Sequence, residues 1–202
     1  EDRPSVGTAG LTIVPFIDID HNGTRDNGEP LASGLAVRIT GGRIIQNNKD
    51  SLIRIVGLEP YTDYLLTLDD KSLEQISYRI ANKKLRIFAS PNQFRKIEVP
   101  ILPMGEVNGW AFLKDKNGRK GQERIVVNFF SENGEKIAST ITDIDGSFTY
   151  LGFAPGNYFA QVDSEQLTRL GMKSSPQEIT FEIKPDILGD IVEDLQFIIE
   201  KL

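Results

Sequence analysis

Two stretches of this chain copy one another at a fixed distance, and any fold must first accommodate that repeat. The sequence DSLIRIVGLEPYTDYLLTLD starts at Asp50, and DGSFTYLGFAPGNYFAQVD starts at Asp145. Asp50 and Asp145, Gly57 and Gly152, and Pro60 and Pro155 are each 95 positions apart. Tyr64 and Tyr158, Asp69 and Asp163, and Leu73 and Leu167 are 94 apart, after one inserted residue. Upstream, Asp20 and Asp115, Asn22 and Asn117, and Gly23 and Gly118 return to a spacing of 95. Three separated blocks in nearly one register predict two copies of one unit. The chain has 202 residues, and domains usually run to about 100–150, so the repeat places the units at residues 6–102 and 103–202. Pro100 and Pro103 bracket the boundary and predict a short, stiff connection, with the units stacked end to end.

Inside each unit the apolar residues recur with period two. Thr12–Ile17, Leu35–Ile39, Leu52–Val56, Tyr64–Leu68, Leu85–Phe88 and Phe94–Val99 read as strands in the first unit, with Pro15 at an edge or bulge. Val107–Leu113, Ile125–Phe130, Lys136–Ile141, Phe148–Leu151, Tyr158–Val162, Ile179–Ile183 and Leu195–Ile199 read so in the second. Gly41-Gly42, Asn133-Gly134, Asp145-Gly146 and Pro155-Gly156 supply turns between them. About seven short strands per unit predict an all-β protein of two tandem β-sandwich domains. Helical signals are confined to Lys71–Gln75 and Ser164–Leu170, at matching places in the repeat.

Composition removes several functions. There is no cysteine, hence no disulfide, thiolate metal site or cysteine nucleophile. His21 is the sole histidine, and no G-x-S-x-G or phosphate-cradling loop occurs. Residues 1–102 balance 13 acids with 13 bases, while residues 103–202 carry 16 against 10, so the net charge of −6 belongs to the second unit and argues against a nucleic-acid partner. No apolar run reaches the roughly 18–20 residues of a membrane span. No apolar stretch follows Glu1, so a signal peptide is expected to be absent or removed.

One motif carries specific chemistry. Asp18, Asp20, Asn22, Gly23 and Glu29 fit D-x-[DN]-x-[DN]-G-x5-E at every specified place. Calcium takes six to eight oxygen ligands. Positions one, three and five offer Asp18, Asp20 and Asn22, Thr24 offers its backbone carbonyl, Asp26 ligates directly or through water, and Glu29 supplies two oxygens. Four carboxylates face only Arg25 nearby, so they repel one another unless a cation joins them. Pro30 and the β-patterned Leu35–Ile39 follow, so the loop joins two strands rather than two helices. The second unit keeps Asp115, Asn117 and Gly118 but has Leu113 and Gly121 in place of Asp18 and Asp26. Asp143 and Asp145 lie on the next turn, as turn formers or as part of a second, weak metal site.

The run from Phe16 to Pro30, with Leu31–Gly34 and Val37, resembles the opening of SdrD B-like repeats of bacterial surface proteins. Thr142–Phe148 followed by Gly152-Phe-Ala-Pro-Gly-Asn-Tyr158 resembles collagen-adhesin B-type and carboxypeptidase regulatory-like domains. The resemblance implies Ig-like, prealbumin-like sandwiches in a secreted or surface-displayed bacterial protein, where such units act as stalks, spacers or adhesin modules beside other domains of the same chain. It also implies calcium on Asp18, Asp20, Asn22, Thr24, Asp26 and Glu29. Many collagen-adhesin B-type domains form a Lys–Asn isopeptide bond, but Phe94–Val99 and Leu195–Ile199 contain no Asn, so no crosslink is expected.

The leading expectation is therefore a monomeric, non-enzymatic structural module stabilised by calcium. Glu193 and Asp194 are adjacent on a strand and should face opposite sides, which is poor for shared catalysis. The alternative is a carbohydrate- or protein-binding module accessory to an enzyme or transport assembly. Trp110, Phe112, Phe148, Tyr150 and Tyr61 are the aromatics to watch; Phe112 and Phe148 are expected in the core, and the sequence names no ligand.

Overall fold

Strands dominate this computed structural model, which describes residues 7–46, 50–116 and 118–202. The chain divides into two units, one ending at Pro103 and the next starting at Met104. Residue 6, the expected start of the first unit, lies outside the described residues, as does Asn117.

The first unit contains β1 (Ala9–Ile17), β2 (Ala36–Arg38), β3 (Arg43–Gln46), β4 (Ile53–Leu58), β5 (Asp63–Asp69), β6 (Tyr78–Arg79), β7 (Lys84–Phe88) and β8 (Phe94–Pro103). They form a five-stranded sheet in the order β3-β4-β1-β8-β6 and a three-stranded sheet β2-β5-β7. The first and last strands pair in parallel, with Ile13 opposite Ile97, Pro15 opposite Val99 and Ile17 opposite Ile101. Pro15 is tolerated because the β4 pairing stops at Ile13, so its missing N–H costs no ladder bond on that side. Leu11, Ile13, Ile53, Ile55, Leu66, Leu68, Val99 and Ile101 build an aliphatic core. Each such side chain contributes about 1.5–3 kcal/mol when fully buried.

Pro100 and Pro103 correct one expectation. They are residues of β8, opposite Phe16 and Tyr78, and not a connection outside the strands. A proline can occupy a strand where its ring fits the extended φ and no hydrogen bond is demanded of its nitrogen.

The second unit contains β9 (Gly105–Asp115), β10 (Gly118–Gly121), β11 (Val126–Ser131), β12 (Lys136–Ile141), β13 (Ser147–Phe153), β14 (Gly156–Val162), α1 (Ser164–Leu170), β15 (Met172–Ser175), β16 (Glu178–Ile183) and β17 (Ile191–Lys201). One sheet runs β10-β9-β17-β15 with β13 also on β9; the other runs β12-β11-β14-β16. Again the first and last strands, β9 and β17, pair in parallel. Here the core is aromatic. Phe129 meets Phe148, Tyr150, Phe153 and Phe181 at ring separations of 6.2, 5.7, 5.3 and 6.2 Å. Phe153 and Phe181 approach it edge-on, which suits the ring quadrupoles.

The repeated residues turn out to be devices for bending the chain. Asp50 and Asp145 each accept the backbone N–H two residues ahead, from Leu52 and Ser147. Gly57 and Gly152 hold φ of 72° and 152°, where a side chain would be strained. Tyr64 and Tyr158 begin the following strands and reach back: the Tyr64 hydroxyl accepts from Glu59 N–H at 2.9 Å, and that of Tyr158 donates to Ala154 C=O at 2.9 Å. This is the tyrosine corner of sandwich domains in both units. Asp69 caps a single 3-10 turn, Asp70–Ser72, and Asp163 caps α1 by accepting from Gln166 N–H at 2.8 Å.

Three side chains depart from expectation. Phe112 is not in the core: it shares the outward face of β9 with Trp110, both half-buried, because Val107, Gly109 and Ala111 take the inward positions. Phe148 is buried as expected, Tyr150 packs partly against the core, and Tyr61 is exposed. Glu193 and Asp194 do not face opposite sides of a regular strand. The β17 register slips between Val192 and Leu195, so two residues oppose Asn108 alone, and both acids are exposed on this bulge.

Asp163 generates a prediction. The Gln166 backbone N–H, then the Asn128 amide, hold its carboxyl below the ordinary 3.8. A depressed acid stabilises the fold above its unfolded value and loses that contribution as pH falls through the folded value. Asp163→Ala should destabilise the second unit by about 1 kcal/mol at neutral pH. The gap between wild type and variant should shrink below pH 3.8 in urea melts followed by Trp110 fluorescence.

Candidate metal centre

Asp18 is the first residue after β1, and its backbone N–H still donates to Ile101 C=O at 2.9 Å. The parallel ladder therefore fixes where this carboxylate starts. Its side chain is fully buried; Oδ1 accepts from Asn22 N–H at 3.0 Å and Oδ2 from Gly23 N–H at 2.9 Å. Gly23 sits at φ 80°, the left-handed turn that brings its amide back onto Asp18.

Glu29 closes the other end and is 8% exposed. Its Oε1 accepts from Ile19 N–H at 2.8 Å and its Oε2 from Asp26 N–H at 2.9 Å. Ile17 N–H to Pro30 C=O, with the bridge between Phe16 and Leu31, zips the loop base together. His21 is spent structurally: its Nε2 lies 2.9 Å from the Pro103 carbonyl, tying the loop to the end of β8.

One carboxylate oxygen each from Asp18, Asp20 and Glu29 lies within 4.8 Å of the others. Burial pushes the Asp18 carboxyl above its ordinary value; the Gly23 N–H pulls it back, and the charge of Glu29 adds to the push. Among the described residues no lysine or arginine forms an ion pair with a loop carboxylate. Arg25 instead points its Nε at the Glu29 carbonyl, 3.4 Å away. Two buried acids and a third at their side form an all-oxygen donor set suited to a hard divalent cation.

The other three sequence-derived ligands are arranged differently. Asn22 turns its amide N–H₂ toward Asp20 Oδ2 at 2.9 Å and Asp26 Oδ2 at 2.6 Å. Its Oδ1 accepts both Thr24 N–H and Thr24 Oγ1–H, at 2.7 and 2.6 Å. Asp26 is thus drawn to Asn22, outside the three-carboxylate group. Ligation by Asn22 requires its amide to present Oδ1 to the ion.

The second unit has replaced the loop with a hairpin. Asp115 is paired with Gly118 and Leu113 with Lys120, so β10 folds straight back on β9. Asp145 is a turn former: the Ser147 Oγ–H, then the Ser147 N–H, donate to it and lower its carboxyl. Among the described residues Asp18, Asp20 and Glu29 are the one group of three potential ligands, and Asn117 lies outside those residues.

No family model and no curated protein matches the chain. It is similar to solved structures of bacterial surface proteins, three of which follow. The TIE protein of Bacillus anthracis is 14% identical with a TM-score of 0.41, over 95% of this chain and 34% of that one. The minor pilin of Streptococcus agalactiae is 13% identical with a TM-score of 0.39, over 96% of each chain. The shaft pilin SpaA of Lactobacillus rhamnosus GG is 10% identical with a TM-score of 0.38, over 96% of this chain and 98% of that one. The chain thus spans about a third of the length of the first of these.

Glu29 has a role that does not depend on any ion. Glu29→Ala leaves the Ile19 and Asp26 amides without their acceptor, at a cost of about 1 kcal/mol, since both bonds are only part-buried. Urea unfolding in chelator, with hydrogen exchange resolving the two units, should show that loss in the first unit and leave the second unchanged.

Proposed function

We propose that the chain is a non-catalytic, load-bearing module of a secreted or surface-displayed bacterial protein, and that calcium stiffens its first unit. The observation that carries this reading is the placement of the acidic loop. It begins where β1 ends and is tied to the end of β8 through Asp18 N–H to Ile101 C=O and through His21 to Pro103. Those are the two strands that carry the chain into and out of the unit. Pulling on the two ends shears the whole parallel β1–β8 ladder at once instead of opening it bond by bond. A cation on Asp18, Asp20 and Glu29, with Asn22, Thr24 and Asp26 completing the shell, would lock the exit of β1 against that load.

Other features support a structural role. The sole histidine is engaged with a backbone carbonyl. No helix of the described residues is long and apolar enough to cross a membrane. The partners that fit are further domains of the same surface protein.

Extracellular modules bind calcium at about 10⁻⁴–10⁻³ M. At about 100 times its dissociation constant the ion adds roughly 2.7 kcal/mol by mass action. Thermal melts and single-molecule pulling of the full chain should show the first unit strengthened by calcium and weakened by chelator. Asp18→Asn should remove that difference and Asp115→Asn should preserve it. An equal response of wild type in calcium and chelator would show the loop to be an acidic turn. Intact mass should match the sequence without the loss of ~17 Da that isopeptide formation releases as ammonia.

A further inference from the structure

The outward face of the β9–β17 sheet holds a groove of about 250 Å³. Trp110 lies along it, half-buried, with Ser147 of β13 opposite it on one side and Gln196 of β17 on the other. Asn108 and Thr149, a cross-strand pair, continue the wall. Glu193 and Asp194 complete it.

The bulge in β17 is what brings both acids to one place. On a regular strand one of them would face the core. With the extra residue opposite Asn108, both line the same groove, and Asp194 is held at φ 66° to achieve it. Bulges re-aim side chains in this way beside binding sites. Neither carboxylate has an ion-pair or side-chain hydrogen-bond partner among the described residues, and neither do the Asn108 amide or the Trp110 indole N–H. A flat apolar ring therefore sits beside an amide and two carboxylates whose side-chain hydrogen-bonding capacity is unspent, while the Ser147 hydroxyl is already given to Asp145.

We infer that this groove is a saccharide-binding site for a neutral pyranose unit of a glycan. The indole face suits the C–H face of a sugar ring. The two carboxylates suit adjacent hydroxyls, because each can accept two O–H donors. The same charges repel uronic and sialic acids. A few placed polar groups around an aromatic surface are the usual composition of a small-ligand site.

Trp110 is the sole tryptophan, so its fluorescence reads the groove directly. The full chain, in chelator to keep the metal loop apart, is titrated with cellotriose, maltotriose, triacetylchitotriose and, as the anionic control, trigalacturonate. At least one neutral trisaccharide should change the emission saturably, with a dissociation constant of roughly 0.1–10 mM, as fits so small a contact. Asp194→Gly removes one carboxylate while giving φ 66° to the residue that adopts it freely, so the second unit should melt no lower than wild type. Sugar affinity in that variant should fall about 10-fold, a loss of ~1.4 kcal/mol. The inference is overturned if no neutral sugar acts at about 20 mM, since binding weaker than that is no site. It is equally overturned if trigalacturonate binds as well as the neutral sugars, or if Asp194→Gly binds as tightly as wild type. None of these results depends on whether the first unit holds calcium.

Discussion

The parallel ladder between first and last strands holds each unit together. It joins residues that are as far apart in the unit's sequence as they can be, so its loop-closure entropy is large. That cost is offset because both ladder strands turn an apolar face to the core: Ile13, Ile97 and Ile101 in the first unit, Val107, Leu195 and Phe197 in the second. Both sites described above grow from this seam. Asp18 is placed because the β1–β8 ladder continues one residue past Ile17, and Asp194 is placed because the β9–β17 ladder slips by one.

The fold class was legible in the sequence because sandwich strands announce themselves by alternation. Four strands escaped notice: β6, only two residues long, β15, nowhere more than half-buried, and β3 and β10. β3 and β10 are exposed along almost their whole length, so Arg43–Gln46 and Gly118–Gly121 give no period to read. The bulge in β17 was invisible for a related reason. Glu193 and Asp194 read as two ordinary polar residues, and only the pairing of Leu195 with Gly109 shows that one of them is extra. The acidic loop stood out in the sequence by its spacing, and the structure brings Asp18, Asp20 and Glu29 together. Which oxygens come together was not legible: the Asn22 amide sets the positions of Asp20 and Asp26, and an amide can turn either way.

The two units solve one electrostatic problem in opposite ways. The first keeps Asp18 and Glu29 buried and satisfies them with four backbone amides, while their charges still oppose each other. Burying like charges is expensive unless something joins them. The second unit has Leu113 and Gly121 where the first has Asp18 and Asp26, and there β10 folds back on β9 as a hairpin. Its aromatic cluster around Phe129 supplies packing the first unit lacks.

The tyrosine corners are among the features that the two units share most closely. The first core is mainly aliphatic, while the second adds a cluster of phenylalanines around Phe129, so the two interiors differ in what fills them. Tyr64 and Tyr158 have stayed, with the glycine and proline before each and the aspartates on either side. Each of them meets a demand of the backbone that few other side chains can meet. The likeness between the two units thus lies in the bends, and a search for further copies in longer chains should weigh Asp, Gly, Pro and Tyr at these spacings above any match between cores.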